Sequence, residues 1–229
     1  DCLYSVNVPN LMFAGRDISV THMALSATRV MATCAIIGQA VGTAASIALR
    51  DGMDPARVRK ERLAELQATL EDDDCMLPFR WRKVSALTAA AKTAAANEPL
   101  RNGIDRKVGK ADNGVWSEPG AETMAYEWDA PQRLSGARLV FDSVMKGTSK
   151  RMMKLEAEQT RVKMPAPLAK AFRIDVRRGG AWRTVFSDAL NLLRLRKVSF
   201  PAVEADALRL VVTETWGGDK AHVFALDAL

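Results

Sequence analysis

Two histidines and three cysteines in 229 residues leave this sequence almost without the side chains that hold metals or carry thiol chemistry. Cys2, Cys34 and Cys75 are odd in number, widely spaced and free of any CxxC pair, so neither a disulfide framework nor a zinc site is expected. His22 and His222 have no His or Cys beside them, and no metal site is expected there either. Aromatic residues make up only 6%. No GxG occurs anywhere, so the chain lacks the glycine turn that receives a dinucleotide pyrophosphate after a first strand. Hydrophobic residues at 48% and charged residues at 26% are those of an ordinary globular chain, which excludes extended disorder and collagen-like repeats.

The net charge of +6 falls wholly in the second part, because residues 1–99 carry 11 basic and 11 acidic side chains. Acids are mixed through that basic part, as in Arg177 and Arg178 followed by Asp188, or Glu204 and Asp206 before Arg209. Nucleic-acid readers instead gather Lys and Arg on one element with interleaved aromatics, so no nucleic-acid partner is expected. One uncharged run, residues 30–49, is 20 residues long and long enough to span a bilayer. It is mostly Ala, Gly, Thr and Ser with Gln39 at its centre, a weak composition for insertion. A buried helix, packed closely through Gly38 and Gly42, is the expectation, and no membrane span.

Along the chain, a turn at Pro9 and Asn10 precedes a short apolar strand over residues 11–14, which Gly15 ends. Ser26 or Thr28 is expected to cap a long helix that Asp51 and Gly52 stop. Asp54 then caps a second helix with Pro55 in its first turn and a stripe of Leu63, Leu66 and Leu70. After Pro78 the composition changes. The Ala-rich residues 84–97 read equally as helix, irregular strand or linker. Beyond them the period becomes two: Phe172, Ile174 and Val176, then Leu208, Leu210 and Val212, then His222, Phe224 and Leu226. Turn signals at Asn113 and Gly114, Pro119 and Gly120, Gly179 and Gly180, and Gly217 and Gly218 separate these runs, the pattern of a β-sandwich.

The strand, glycine turn, loop and small-residue helix of residues 11–45 have a physical logic of their own. Gly15 admits close approach of a ligand to backbone, and unpaired N–H groups at the helix start attract anionic or electron-rich groups. A helix lying against a sheet with no ligand satisfies the same pattern.

The residues themselves carry more. The segment from Asn10 through Ala14, Gly15, Arg16 and Asp17 to His22, with Ser26, Thr28, Arg29, Val30, Cys34, Gly38 and Gly42, resembles the C-terminal flavin-binding stretch of bacterial FAD-dependent oxidoreductases of the glutathione-reductase-like superfamily. The resemblance covers about residues 5–77. It implies that Gly15, Arg16 and Asp17 lie by the ribityl and phosphate groups of FAD. It also implies that Ser26, Thr28, Arg29 and Val30 lie by the flavin ring. Asp17 departs from the uncharged residue usual after the Gly-Arg pair. His22 is the catalytic candidate, as an acid or base facing the flavin, with a structural loop histidine as the alternative. Arg29 either adds a charge beside the flavin or makes a salt bridge at the helix start.

In the second part, the runs at 113–117, 139–142, 180–185, 207–210 and 215–217 are similar to galactose-binding-like (discoidin-type) β-sandwiches. Such a module binds a carbohydrate through end loops, docks on a catalytic part, or acts as a spacer. Trp116, Trp182 and Trp216 are expected as packing at the core or at loop bases.

The expectation is therefore an α+β chain. Residues 1–78 are the C-terminal strand and helices of an incomplete FAD-binding domain, and 79–229 are an antiparallel β-sandwich of jelly-roll type with an Ala-rich lead-in. The expected partner is the N-terminal FAD-binding half of the same protein, which precedes Asp1 on this reading, with a carbohydrate as a further candidate ligand. The expected function is flavin contact within a FAD-dependent oxidoreductase, with the chain inactive alone. The alternative is a non-catalytic carbohydrate- or protein-binding module.

Overall fold

The computed structural model describes residues 2–144 and 164–229. It divides into two compact units, Asp1–Arg82 and Lys83–Leu229; the first holds four helices and the second all the described strands, an α+β chain.

In the first unit the turn at Pro9 and Asn10 is present, closed by the Leu11 amide on the Val8 carbonyl at 3.1 Å. The strand expected at 11–14 is not. Met12 forms a single isolated bridge with Tyr4. The helices are α1 (His22–Thr28), α2 (Met31–Arg50), α3 (Pro55–Glu61) and α4 (Leu63–Asp72). The long helix starts later than expected. Thr21 caps α1 by accepting the Ala24 amide at 3.3 Å, whereas the Ser26 and Thr28 hydroxyls donate backward to the carbonyls of Met23 and Ala24. Hydroxyls bonded within their own turn cannot cap the next helix, and α2 begins at an extended Val30 without a side-chain cap.

The end of α2 follows expectation: Gly52 takes φ +60° and the Met53 amide returns to the Ala48 carbonyl at 2.9 Å. Asp54 precedes Pro55 at the start of α3 but makes no capping hydrogen bond. The second expected helix is split at Arg62, whose φ of −132° leaves helical geometry. A small core joins Ala44, Ile47, Ala48 and Val58, with Leu66 and Met12 packed against it. Only the C-terminal half of α2 contributes. Gly38 and Gly42 are not in close packing, since a Cβ at either would meet nothing within 4 Å. By length and composition α2 could cross a membrane, and with only 17% of its apolar window buried inside the unit it is not the buried helix expected.

In the second unit Ser85 caps α5 (Ala86–Ala90), accepting the Thr88 amide at 3.0 Å, and a 3-10 helix runs Ala95–Arg101. The strands are β1 (Val115–Ser117), β2 (Met124–Phe141), β3 (Ala169–Arg178), β4 (Ala181–Asp188), β5 (Leu195–Thr215) and β6 (Ala221–Ala228). All pair antiparallel in the order β1-β6-β2-β5-β3-β4, so the described strands of the β-sandwich join as one continuous ladder. Two-residue loops with both φ positive suit glycine, and Gly179 (+58°) and Gly180 (+82°) make that turn between β3 and β4.

The long strands β2 and β5 are broken by register shifts between Glu127 and Gln132 and between Leu134 and Gly136. Pro131 and Pro201 fall at these shifts, where a residue without an N–H costs no ladder hydrogen bond. The main core gathers Met124, Leu134, Phe141, Phe172, Ile174, Leu210 and their neighbours on one side, with Val140, Phe224 and Ala225 as a second cluster. His222, Phe224 and Leu226 do not keep one face as expected. A shift between Val140 and Phe141 makes Phe224 an extra residue of β6, so Leu226 joins the main core and Phe224 the second cluster.

Asp175 shows how the sheet accepts charge. Its side chain is 3% exposed, yet it accepts from Thr184 Oγ1 at 2.8 Å, Arg209 Nε at 3.0 Å and Arg173 Nε at 3.1 Å. Burial pushes this carboxyl up, but the three donors outweigh it and hold it below the ordinary range. Such a group stabilises the fold above its unfolded value near 3.8, and the gain disappears as pH falls through the lower folded value. Asp175→Asn is therefore expected to cost about 2 kcal/mol at neutral pH and clearly less in acid, measured by urea unfolding across that range. An equal cost at both ends would refute the assignment.

Two glycines give a second check. At Gly136 a Cβ would lie 2.5 Å from the Val198 carbonyl oxygen, so Gly136→Ala is expected to destabilise by about 1–3 kcal/mol. Gly38→Ala lies in an open helix interior and is expected to stabilise by about 0.5–1 kcal/mol. Thermal unfolding of the two variants reads the opposite signs.

Candidate functional site

The residues singled out in the first unit fall on one loop and one short helix. Gly15 sits at φ +107°, a conformation that glycine adopts without strain, and a Cβ there would come no closer than 3.9 Å to Asp17 Oδ1. Arg16 and Asp17 follow on the exposed side of the turn. His22 opens α1 and is exposed, while Ser26 and Thr28 lie on the same helix with their hydroxyls bonded inward. Arg29 ends α1 and Val30 turns the chain into α2.

Among the described residues, the side chains of Arg16, Asp17, His22 and Arg29 make no hydrogen bond or ion pair, and nothing bonds the 15–17 loop to α1. This differs from the arginines further along the unit. Arg50 and Arg62 share Asp51 at 2.6 and 2.7 Å, and Arg57 holds Glu61 at 2.7 Å. The salt bridge considered for Arg29 is therefore not formed. The uncapped N–H groups that open the long helix lie after Val30 and not at Ser26. Met23, Val30 and Met31 stand exposed around this junction at 84%, 54% and 76%. Cys34 donates its thiol to the Thr28 carbonyl at 3.4 Å, a packing contact that ties α2 to the end of α1.

The second unit holds a cluster that sequence reasoning missed. His222 on β6 is fully buried, and its Nδ1 lies 2.7 Å from Asp142 Oδ2, just past the end of β2. Its Nε2 is 2.9 Å from Asp112 Oδ1 but out of line for a hydrogen bond. Trp116 on β1 stacks flat on the imidazole at 4.1 Å and 1°, and its indole N–H donates to Asp112 Oδ2 at 3.0 Å. Gly114 is required here, since a Cβ would come within 2.4 Å of His222 Nε2. Burial pushes both carboxyls up, and it is overcome in each. For Asp142 the imidazole hydrogen bond, the Val144 amide and the charge of Lys107 win. For Asp112 the Trp116 N–H, the charges of His222 and Lys107 and the Gly114 amide do so. Both carboxyls lie below the ordinary range.

The outer face of Trp116, 47% exposed, borders a cleft of about 430 Å³ with Ala166, Pro167, Gly217, Gly218, Asp219 and Lys220. The loop signals at Gly114 and Gly217 were visible in the sequence; the union of Asp112, Asp142 and His222 across three segments was not. Trp182 packs under Arg209 at 4.2 Å, and Trp216 donates to the Asn191 carbonyl at 2.8 Å, so both have the packing roles expected. No group of three or more His, Cys, Asp or Glu able to hold a metal occurs among the described residues.

Compared with known proteins, residues 1–70 match the family model described as FAD dependent oxidoreductase. No curated protein matches the chain in sequence. Among solved structures, the chain is similar to chitosan-binding module 1 of a chitosanase/glucanase from Paenibacillus sp. IK-5, at 15% identity over 61% of this chain and 91% of that one, with a TM-score of 0.39. It is also similar to the family 32 carbohydrate-binding module of Streptococcus pneumoniae EndoD, at 13% identity over 60% and 88%, with a TM-score of 0.40.

Proposed function

We propose that the first unit is the flavin-contacting edge of a FAD-dependent oxidoreductase, completed by an N-terminal FAD-binding half, and that the second unit is an accessory β domain. The observation that carries this reading is the family match over residues 1–70. The residues present fit the cofactor. Gly15 leaves its turn open to a close-lying group, and Arg16 and Arg29 present guanidiniums that no acid among the described residues neutralises. FAD, when bound, supplies hydride or electron exchange with a substrate.

This chain's contribution is binding and electrostatic tuning. Gly15, Arg16 and Asp17 shape the loop toward the ribityl and phosphate groups. Ser26, Thr28, Arg29 and Val30 lie toward the ring, and the uncapped start of α2 adds its positive dipole end, which favours negative charge on the reduced cofactor. His22 stands exposed at the head of α1, positioned to hold or release a proton. The apolar side chains of Met23, Met31 and Ile36, exposed in this unit, are the surface that the N-terminal half covers. The chain by itself holds one edge of the site and does no redox chemistry alone.

Purified alone, the chain is expected to carry no stoichiometric flavin absorbance, and to gain it when joined to its upstream half. A stoichiometric yellow spectrum from the chain alone would overturn the reading. In the flavin-loaded protein, Arg29→Ala is expected to lower the two-electron potential by roughly 20 mV, read by spectroelectrochemistry.

A second reading of the β domain, carbohydrate binding, rests on the cleft beside Trp116. A half-exposed indole next to Asp219 and Lys220 pairs a stacking face with a hydroxyl acceptor and donor. Calorimetry with chitotriose and with N-acetylgalactosamine tests it: binding lost in Trp116→Ala supports the reading, and no heat with either sugar counts against it.

A further inference from the structure

Trp116 is the aromatic wall of the cleft and stands 47% exposed. A side chain so open to solvent ordinarily turns about both its torsions, and a ligand that stacks on it must first still it. Two contacts remove that freedom before any ligand arrives. The His222 imidazole lies parallel to the indole at 4.1 Å and 1°, and the indole N–H donates to Asp112 Oδ2 at 3.0 Å. The contact over one face fixes the tilt of the indole plane. The hydrogen bond at its edge fixes the rotation within that plane.

His222 can serve as this support because it is itself held. Its ring is fully buried, hydrogen-bonded through Nδ1 to Asp142 Oδ2 at 2.7 Å and covered by Phe224 at 4.4 Å. Asp142 in turn receives the Val144 amide at 2.7 Å. The backbone of His222 reaches the other side of the cleft. Its amide donates to the Pro167 carbonyl at 3.2 Å, and the Gly218 amide donates to the Ala166 carbonyl at 2.8 Å. Ala166, Pro167 and Gly218 are walls of the same cleft. The indole and the wall at Pro167 are thus both tied to one buried residue.

Asp112 stands at the rim, its side chain 38% exposed, with the Lys107 ammonium 3.6 Å away. It holds the indole from the edge and has no part in the main core, so its loss touches the platform and spares the fold.

We infer that His222 and Asp112 are positioning residues, which hold Trp116 as a preformed platform for the flat apolar face of a pyranose ring. The inference rests on the carbohydrate reading of this cleft. His222, being buried, acts through the indole and does not touch the sugar. A platform fixed in advance spares the ligand the ordering of that side chain, so loss of either support weakens binding without removing a stacking face.

The test uses the whole chain labelled with 5-fluorotryptophan, with Trp116→Phe assigning the Trp116 fluorine signal. Without sugar, the wild-type Trp116 fluorine is expected to relax as part of the folded body, with no independent motion. Faster local motion is expected in Asp112→Ala and in His222→Gln. Asp112→Asn leaves an oxygen for the indole N–H and is expected to restore the wild-type relaxation. By calorimetry, Asp112→Ala is expected to weaken binding of chitotriose or N-acetylgalactosamine by about 3–10-fold, and Asp112→Asn to recover most of that loss. A Trp116 fluorine already mobile in a wild-type chain that binds sugar would overturn the positioning role alone. So would Asp112→Asn as mobile as Asp112→Ala, or an unchanged affinity in Asp112→Ala. No heat with either sugar would overturn the carbohydrate reading, and the platform's role with it. Should His222→Gln fail to fold, the wild-type relaxation and the Asp112 pair decide.

Discussion

The β2–β5 ladder imposes the constraint from which the rest of the β domain follows. Two strands of 18 and 21 residues must stay paired, although each contains a proline that cannot donate to the ladder. The conflict is resolved by placing Pro131 and Pro201 where the register shifts, so that no paired N–H is lost. Those shifts also set which side chains reach the core on either side of them, because one extra residue exchanges the two faces of a strand. Leu134 and Val203 on one side of a shift, and Ala137 and Val198 on the other, all end in the same buried cluster. Gly136 sits at the shift itself, and its missing Cβ lets the two backbones close to a distance that any other residue would prevent. With β2 fixed, β6 is fixed on its other edge. The irregularity at Phe224 then aims His222 at Asp142 while returning Leu226 to the core.

The helical unit is governed by the opposite condition, a shortage of internal surface. Its core is small, and α2 commits only Ala44, Ile47 and Ala48 to it. The remainder of this 20-residue apolar helix contributes no fully buried residue to the unit. At roughly 25 cal/mol per Å² of apolar surface removed from water, leaving Met31 and Ile36 exposed forgoes a few kcal/mol, an unusual choice for a unit of this size. The ion pairs concentrate at the far end, where Arg50, Asp51, Arg62 and Glu65 interlock around the helix stop. They fix the packed end of α2, whereas Arg29 before its other end makes no ion pair among the described residues.

What could be read in the sequence follows the range of the interaction involved. The alternation of Phe172, Ile174 and Val176, and the Gly179 and Gly180 turn after it, are local patterns, and the structure repeats them as β3 and its hairpin. The stop of α2 at Asp51 and Gly52 is equally local. The break between α1 and α2 was not legible because it has no stop signal. Ser26 and Thr28 look like caps in sequence, and only their bonds back into α1 show that they are not. Strand β2 was hidden by Pro131 and by the short spacing of its charges. The Asp142–His222 pair spans 80 residues, and no local rule brings two such positions together.

The candidate sites divide along the same line. The proposed flavin edge was legible as an ordered motif, because its candidate residues are near neighbours in sequence on one loop and helix. His222 was assigned to a strand face with Phe224 and Leu226; the bulge at Phe224 breaks that face, and the alternation was in any case silent about charge. Period-two alternation says only that a side chain turns inward. It does not say whether the interior at that point offers hydrocarbon or carboxylate. Here the sheet brings His222 two acids from separate segments, one locked and one reaching water.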